Sequence, residues 1–193
     1  MSTRINHVRN DDAECSRPVE IAQIQVKLFS SRAASSPNMS FQKLQWPFSI
    51  AVTLHNSEEA LWLPAWWVRH AKEVPVHPGA GVFRFAIAVL TLAAFVVTYL
   101  SEREGKESMW AYLTFGYIVA MFANVFIPHI PASWMFRSYT PGVVTAVLVN
   151  LPVLGFLSIR VREGWVSGRK AVVFGVAVPI AIAGMIPTLL LIH

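Results

Sequence analysis

Long apolar runs alternate with short polar segments over most of this chain. A helix needs roughly 20 apolar residues to cross the core of a bilayer. Runs near that length lie at 46–67, 83–100, 109–128, 142–159 and 171–191. The pattern therefore predicts an all-α protein, an integral membrane bundle of about five transmembrane helices in a domain that spans residues 46–193.

Residues 1–45 differ from the rest of the chain because they are polar and contain no continuous apolar run. We expect this segment to be a mostly disordered N-terminal arm without a cleaved targeting peptide. Met39 offers an alternative start of translation. Residues 1–38 are thus either part of the natural chain or an extension upstream of that start.

The composition supports a membrane protein. Of the 193 residues, 54% are hydrophobic and 14% are charged, which is too little polar surface to cover a soluble globule. The net charge of +5 raises the question of nucleic-acid binding. However, the basic residues flank the apolar runs and do not form one patch with aromatic residues, so we expect the partner to be the lipid bilayer and not a nucleic acid.

The distribution of lysine and arginine predicts the topology. Of the sixteen basic residues, six precede Trp46, two lie at 101–108 and four at 160–170, all on one predicted side. The other side has only Arg69, Lys72, Arg84 and Arg137. By the positive-inside rule, the N-terminus is cytoplasmic and the C-terminus is outside the cell membrane.

The first apolar run contains the segment His55-Asn56-Ser57-Glu58-Glu59 near its middle. Ionisable groups in hydrocarbon are costly and usually mark a functional site. A helix advances about 100° per residue, so Glu58 lies about 60° to one side of His55 and Glu59 about 40° to the other. All three side chains are therefore predicted to face one interior point.

Two later runs carry polar residues at similar depth. Asn124 and His129 lie at the end of the third run, where Pro128 and Pro131 are predicted to interrupt the helix and leave His129 beside a cavity. Asn150 lies in the middle of the fourth run. A buried asparagine often joins helices by a hydrogen bond, so Asn124 and Asn150 are predicted to be supporting polar groups.

The spacing of the first motif suggests a metal site. In the His-x-x-Glu-His signature of zinc hydrolases, two histidines at i and i+4 bind the metal and the glutamate is the base. In this chain a glutamate replaces the second histidine. By analogy His55 and Glu59 are metal ligands, His129 is a third ligand from another helix, and Glu58 is the catalytic base. Zinc is the first candidate, and iron or manganese also suits such ligands. We find no nucleotide or haem motif.

These residues allow three functions. The first is a metal-dependent membrane hydrolase that acts on a lipid or another membrane-soluble substrate. The second is a transporter or proton relay, for which a homodimer would supply the symmetry that five helices lack. The third is a non-catalytic membrane partner in which the polar residues form a buried hydrogen-bond network.

The order of the polar motifs resembles that of a known family. His55-Asn-Ser-Glu58-Glu59, then Asn124-Val-Phe-Ile-Pro-His129, then Asn150 on a later run look like the HXXEE family of small bacterial membrane proteins. The similarity covers about residues 46–160. It implies a membrane domain with a suspected active site at these residues, and it does not indicate the reaction.

Overall fold

The computed structural model describes residues 41–75 and 77–189, and every regular element within them is a helix. The α-helices are α1 (Phe41–Leu44), α2 (Trp46–Arg69), α3 (Ala80–Glu104), α4 (Met109–Asn124), α5 (Ile130–Phe136), α6 (Val143–Thr145), α7 (Leu151–Arg162) and α8 (Gly168–Leu189). Two π-type segments, Val125–His129 and Ala146–Asn150, connect α4 to α5 and α6 to α7. The predicted all-α fold is confirmed.

The N-terminal arm was predicted to be mostly disordered over residues 1–45. Residues 1–40 lie outside the described residues, so this prediction is untested there, whereas residues 41–44 form α1. All described residues belong to one compact unit.

Within the described residues, four helical segments are long and apolar enough to span a membrane. They are Ala80–Glu104, Met109–Phe136, Val143–Arg162 and Gly168–Met185. Helix α2 has 24 residues and is about 36 Å long at 1.5 Å per residue, which is sufficient length for a span. The polar motif lowers its hydropathy, and it is not among the four. The protein is therefore a membrane protein by the character of these four helices, and the fifth span stays a prediction.

Helix α4 forms the centre of the bundle and packs against α3, α7 and α8. Its side chains are mostly buried, and Ile118 is completely so. Gly116 allows the close approach of α8, because a Cβ atom there would lie 2.5 Å from the Phe174 carbonyl oxygen. The absence of a side chain at this position thus lets the two backbones come together.

Polar side chains join α2 to α3. Ser49 Oγ lies 3.1 Å from the carbonyl oxygen of Ala94 and 3.0 Å from Thr98 Oγ1. Farther along α2, Asn56 Nδ2 donates a hydrogen bond of 2.7 Å to Thr91 Oγ1. Such bonds between helices fix their register where hydrophobic burial alone does not. These hydrogen bonds hold α2, the helix that carries the polar motif, against α3.

The interruption predicted at the paired prolines is present. Ile127 is extended (φ −143°, ψ 106°), which separates α4 from α5. Pro128 and Pro131 lack the backbone N–H that a continuous helix would use there. Pro64 lies inside α2, which continues to Arg69.

Candidate metal centre

The polar motif of α2 meets two other elements in the interior of the bundle. His55 and Glu59 come from α2, and His129 comes from the broken segment after α4. One ligand atom from each of these three residues lies within 4.8 Å of the other two. Both histidines are almost fully buried, and the Glu59 side chain is 17% exposed.

The distances within this group suit a metal ion. Glu59 Oε1 lies 3.7 Å from His55 Nε2 and 3.3 Å from His129 Nε2. Ligand bonds of about 2.0–2.2 Å in a tetrahedral zinc site place neighbouring ligand atoms roughly 3.4 Å apart. The two imidazole rings meet edge to face, with centroids 4.7 Å apart. Two of the three separations are therefore close to this spacing, and the group could hold one cation.

The break at Ile127 brings Asn124 and His129 to the same side. On a continuous helix, residues five apart point about 140° away from each other. In the structure, Asn124 Nδ2 lies 3.1 Å from both His55 Nε2 and His129 Nε2. The Asn124 amide thus bridges the two ring nitrogens that would bind a metal.

Glu58 is adjacent to Glu59 in the sequence, but its carboxylate is hydrogen-bonded to Tyr139 and Thr145, which precede α7. Its Oε1 accepts a hydrogen bond from the Tyr139 hydroxyl at 2.6 Å. Its Oε2 accepts bonds from the backbone N–H of Thr145 at 2.9 Å and from the Thr145 hydroxyl at 2.6 Å. Both carboxylate oxygens are thereby occupied. The role of Glu58 as a catalytic base stays a prediction.

Tyr139 lies in the loop between α5 and α6, outside the four segments that can span a membrane. Desolvation of its hydroxyl raises the pKa of Tyr139 above the ordinary value. The hydrogen bond to Glu58 and the negative charge of that carboxylate act in the same direction. The hydroxyl therefore keeps its proton and remains a donor to Glu58, even though the side chain as a whole is partly exposed.

Thr145 also contacts His55. The His55 Nδ1 atom lies 3.1 Å from Thr145 Oγ1, the same oxygen that binds Glu58. A continuous series of hydrogen bonds thus runs from His55 through Thr145 and Glu58 to Tyr139. It links the interior of the bundle to an exposed loop.

Gly142 packs directly against the candidate ligands. It has φ +94°, a conformation that favours glycine. A Cβ atom at this position would clash with His129 Cε1, and it would lie 2.9 Å from His129 Nδ1 and 3.1 Å from Glu59 Cγ. The absence of a side chain at Gly142 therefore lets the loop close over His129 and Glu59.

Asn150 is fully buried in the second π-type segment. Within the described part of the chain, neither its amide nitrogen nor its amide oxygen has a hydrogen-bond partner. The expected hydrogen bond between helices is therefore not seen there. An unpaired buried amide is unusual in a folded protein and calls for a physical explanation.

The structure thus brings together His55, Glu59, His129 and Asn124, with Glu58 bonded beside them. Sequence reasoning missed Thr145 and Tyr139, because threonine and tyrosine are common residue types and their spacing from the motif is not diagnostic. Gly142 had one weak signal, since it ends the turn-forming sequence Thr140-Pro141-Gly142.

The residues of this site lie within a region shared with known proteins. A profile of the family described as "Protein of unknown function with HXXEE motif" matches residues 46–157, more than half of the chain. The chain belongs to the HXXEE family. In this HXXEE protein the motif itself is residues 55–59, and the matched region includes all of the candidate ligands.

A relative from Bacillus subtilis (strain 168) supports the assignment to the HXXEE family. The protein is described as "Uncharacterized protein YrkK" and is 30% identical over 146 residues, which are 74% of this chain and 90% of the relative. No solved structure matches the chain. These comparisons agree with the resemblance seen in the sequence and name no activity.

Proposed function

We propose that this HXXEE protein is a metal-dependent membrane enzyme that hydrolyses a lipid or another membrane-soluble substrate. The observation that carries the proposal is the convergence of His55, Glu59 and His129, whose ligand atoms lie within 4.8 Å of one another. Two imidazoles and one carboxylate form the ligand set of a familiar class of open zinc sites, which leave a position for water or substrate.

The donor set decides which metals fit. Imidazole nitrogens suit zinc, copper, iron and nickel, and a carboxylate also suits manganese. Zinc is the first candidate, with iron and manganese as alternatives. The ion would supply a Lewis acid that polarises the scissile carbonyl or phosphoryl group.

The residues of the chain have distinct roles in this proposal. His55 and His129 would bind the ion through their Nε2 atoms, and Glu59 would bind it through Oε1. Glu58 takes a proton from the attacking water after it gives up one of its three hydrogen bonds. Tyr139 donates a hydrogen bond to Glu58 from the loop between α5 and α6. We expect this bond to be the one that Glu58 gives up when it accepts the proton.

Hydrolysis can be tested with purified protein in vesicles that contain fluorogenic lipids with carboxylic ester, amide or phosphodiester bonds. We expect turnover that is lost on chelation and regained on addition of zinc, iron or manganese. His129→Gln should abolish it because one ligand is removed. His77→Gln is the matched control, since His77 lies in the loop after α2, stacked on Trp67. Equal turnover by wild type and His129→Gln would contradict the proposal.

A transporter or proton relay is the second candidate, and the broken helix at Ile127 favours it. Discontinuous helices line the binding sites of many transporters. Uptake of ions or small solutes into proteoliposomes separates the two functions. Transport that survives chelation would support this second candidate and argue against the metal-dependent enzyme.

A non-catalytic membrane partner is the third candidate, because Glu58, Thr145, His55 and Asn124 form a connected hydrogen-bond network. The variant Glu58→Gln distinguishes a non-catalytic partner from an enzyme. If the network only holds the helices together, this substitution lowers thermal stability in step with any loss of function. If Glu58 takes part in the reaction, turnover is lost while the protein still folds.

A further inference from the structure

Thr145 occupies a central position in the hydrogen bonds around the candidate metal centre. Its hydroxyl oxygen lies 3.1 Å from His55 Nδ1 and 2.6 Å from Glu58 Oε2. Its backbone N–H also binds Glu58 Oε2 at 2.9 Å. One residue therefore connects a candidate ligand to a buried carboxylate.

The direction of these hydrogen bonds follows from counting protons. A threonine hydroxyl has one proton to donate, and an ionised carboxylate can only accept. Three donors converge on Glu58, which matches its ionised form. The Thr145 hydroxyl lies closer to Glu58, at 2.6 Å, than to the Gly142 carbonyl oxygen at 3.3 Å. Its proton is thus donated to Glu58.

It follows that the Thr145 oxygen must accept the bond from His55. The proton of the neutral imidazole is then on Nδ1, and Nε2 carries a lone pair. The opposite tautomer would place a proton on Nε2, which faces another donor, the Asn124 amide nitrogen, at 3.1 Å, while Glu59 Oε1 at 3.7 Å is too far for a hydrogen bond. The geometry favours the first arrangement.

We infer that Thr145 is a positioning residue that, anchored by Glu58, fixes the tautomer of His55 so that the Nε2 lone pair faces Glu59 and His129. Metal-binding histidines commonly donate their second ring N–H to an oxygen that sets the ring orientation. The anchor itself is held by the Tyr139 hydroxyl. The effect of Thr145 on metal binding rests on the proposed metal centre, whereas the tautomer of His55 does not.

The tautomer can be measured in the metal-free protein by ¹⁵N NMR of ring-labelled histidine. The His55 signals are assigned as those that disappear in His55→Gln. We expect a protonated Nδ1 and an unprotonated Nε2 in the wild type. Thr145→Val keeps the shape of the side chain but removes the acceptor, so it should shift His55 towards the Nε2-protonated form. Thr145→Ser, which keeps the hydroxyl, should restore the wild-type spectrum.

Two results of this experiment would overturn the inference. One is a wild-type His55 that is protonated on Nε2, and the other is a Thr145→Val spectrum identical to that of the wild type. If Thr145→Val does not fold, the wild-type spectrum still tests the inference, because a His55 protonated on Nε2 would overturn it. Thr114→Val is the matched control, because the buried Thr114 hydroxyl binds the Val97 carbonyl oxygen away from the site.

Zinc titration of the same variants tests the consequence for the centre. Loss of a partner that orients a ligand typically lowers metal affinity about 10- to 100-fold. We expect a loss of this size for Thr145→Val and an unchanged affinity for Thr145→Ser and Thr114→Val. Equal zinc affinities of wild type and Thr145→Val would overturn the role of Thr145 in positioning a metal ligand, but not the tautomer of His55. Absence of zinc binding by the wild type would overturn the proposed function, and the NMR result would still decide the tautomer.

Discussion

Electron-pair donors are concentrated around His55. Glu59 Oε1 and two histidine Nε2 atoms share a small buried space, and the Asn124 amide nitrogen lies between the two rings. A cation in this space would compete with the N–H groups of Asn124 for the same lone pairs. The identity of residue 124 should therefore tune the affinity for a metal.

Asn124→Asp tests this competition. An aspartate has nearly the same shape but offers oxygen ligands in place of the amide N–H donors. We expect zinc to bind about 10-fold or more tightly, because a fourth ligand with negative charge is added. Equilibrium titration against a competing chelator measures the change. A weaker affinity for Asn124→Asp than for Asn124→Ala would contradict this view of the site.

Asn150 provides a test of stability at the same scale. A buried amide without a partner costs about 1–3 kcal/mol, and an apolar side chain of similar size avoids that cost. Both amide atoms of Asn150 lack a partner among the residues that the structure describes. We therefore expect Asn150→Leu to have a thermal unfolding temperature in detergent equal to or above that of the wild type. A decrease of several degrees would show that the amide has a partner in the folded protein.

The elements of the bundle place residues that are distant in sequence at one point. The i, i+4 spacing of His55 and Glu59 indicated that both face one side of a helix, and the prolines near His129 indicated a break. Thr145 and Tyr139 could not be predicted in this way. They reach Glu58 across more than 80 positions of sequence, and only tertiary packing determines such contacts.

Helix α2 illustrates a conflict between two signals in the sequence, one for function and one for a membrane span. The ionisable residues that identified the site also lower the hydropathy of α2, so the helix with the clearest functional signal has the weakest membrane signal. In contrast, the bounds of α3, α4 and α8 agree with their apolar runs to within a few residues, whereas α5 lies outside every run and the fourth run is divided between α6, a π-type segment and α7. Periodic apolar patterns specify helices well, but specific polar contacts depend on how those helices pack.

Gly142→Ala tests the closure of the loop before α6 over the site. The positive φ of Gly142 strains a residue with a Cβ atom by about 1–3 kcal/mol, and the methyl group would also clash with His129. We expect a lower unfolding temperature and a zinc affinity reduced at least about 10-fold, as for a displaced ligand.

Gly81→Ala is the matched control for this substitution. Gly81 lies near the start of α3, and a Cβ atom there would contact nothing within 4 Å. Alanine favours the helix over glycine, so stability should be unchanged or slightly higher and zinc affinity the same. Similar losses of affinity in both variants would show that Gly142 has no particular relation to the site.

The arrangement of the whole molecule in the membrane determines which side the site faces. Twelve basic residues lie on one predicted side and four on the other, which predicts a cytoplasmic N-terminus if α2 also spans the bilayer. The loop with Tyr139 would then be outside. The hydrogen bonds from Tyr139 to His55 would connect the candidate centre to the outer face.

Reporter fusions test this topology. A fluorescent protein that matures only in the cytoplasm should be active when fused after Gly105, and a phosphatase that folds only outside should be active after Ser138. In a second pair of fusions, the fluorescent protein should be active after Gly164 and the phosphatase should be active after Gly79. An active phosphatase after Gly105 would contradict the predicted orientation.

The central claim is that His55, Glu59 and His129 bind one metal ion together. The most direct measurement is the metal content of the purified protein after loading with zinc, iron or manganese, for the wild type and for His55→Gln, Glu59→Gln and His129→Gln, with His77→Gln as control. We predict one equivalent of metal in the wild type and control, and a marked loss in each of the three variants. A wild type that retains no stoichiometric metal under any of these conditions, or variants that retain as much as the control, would contradict the account.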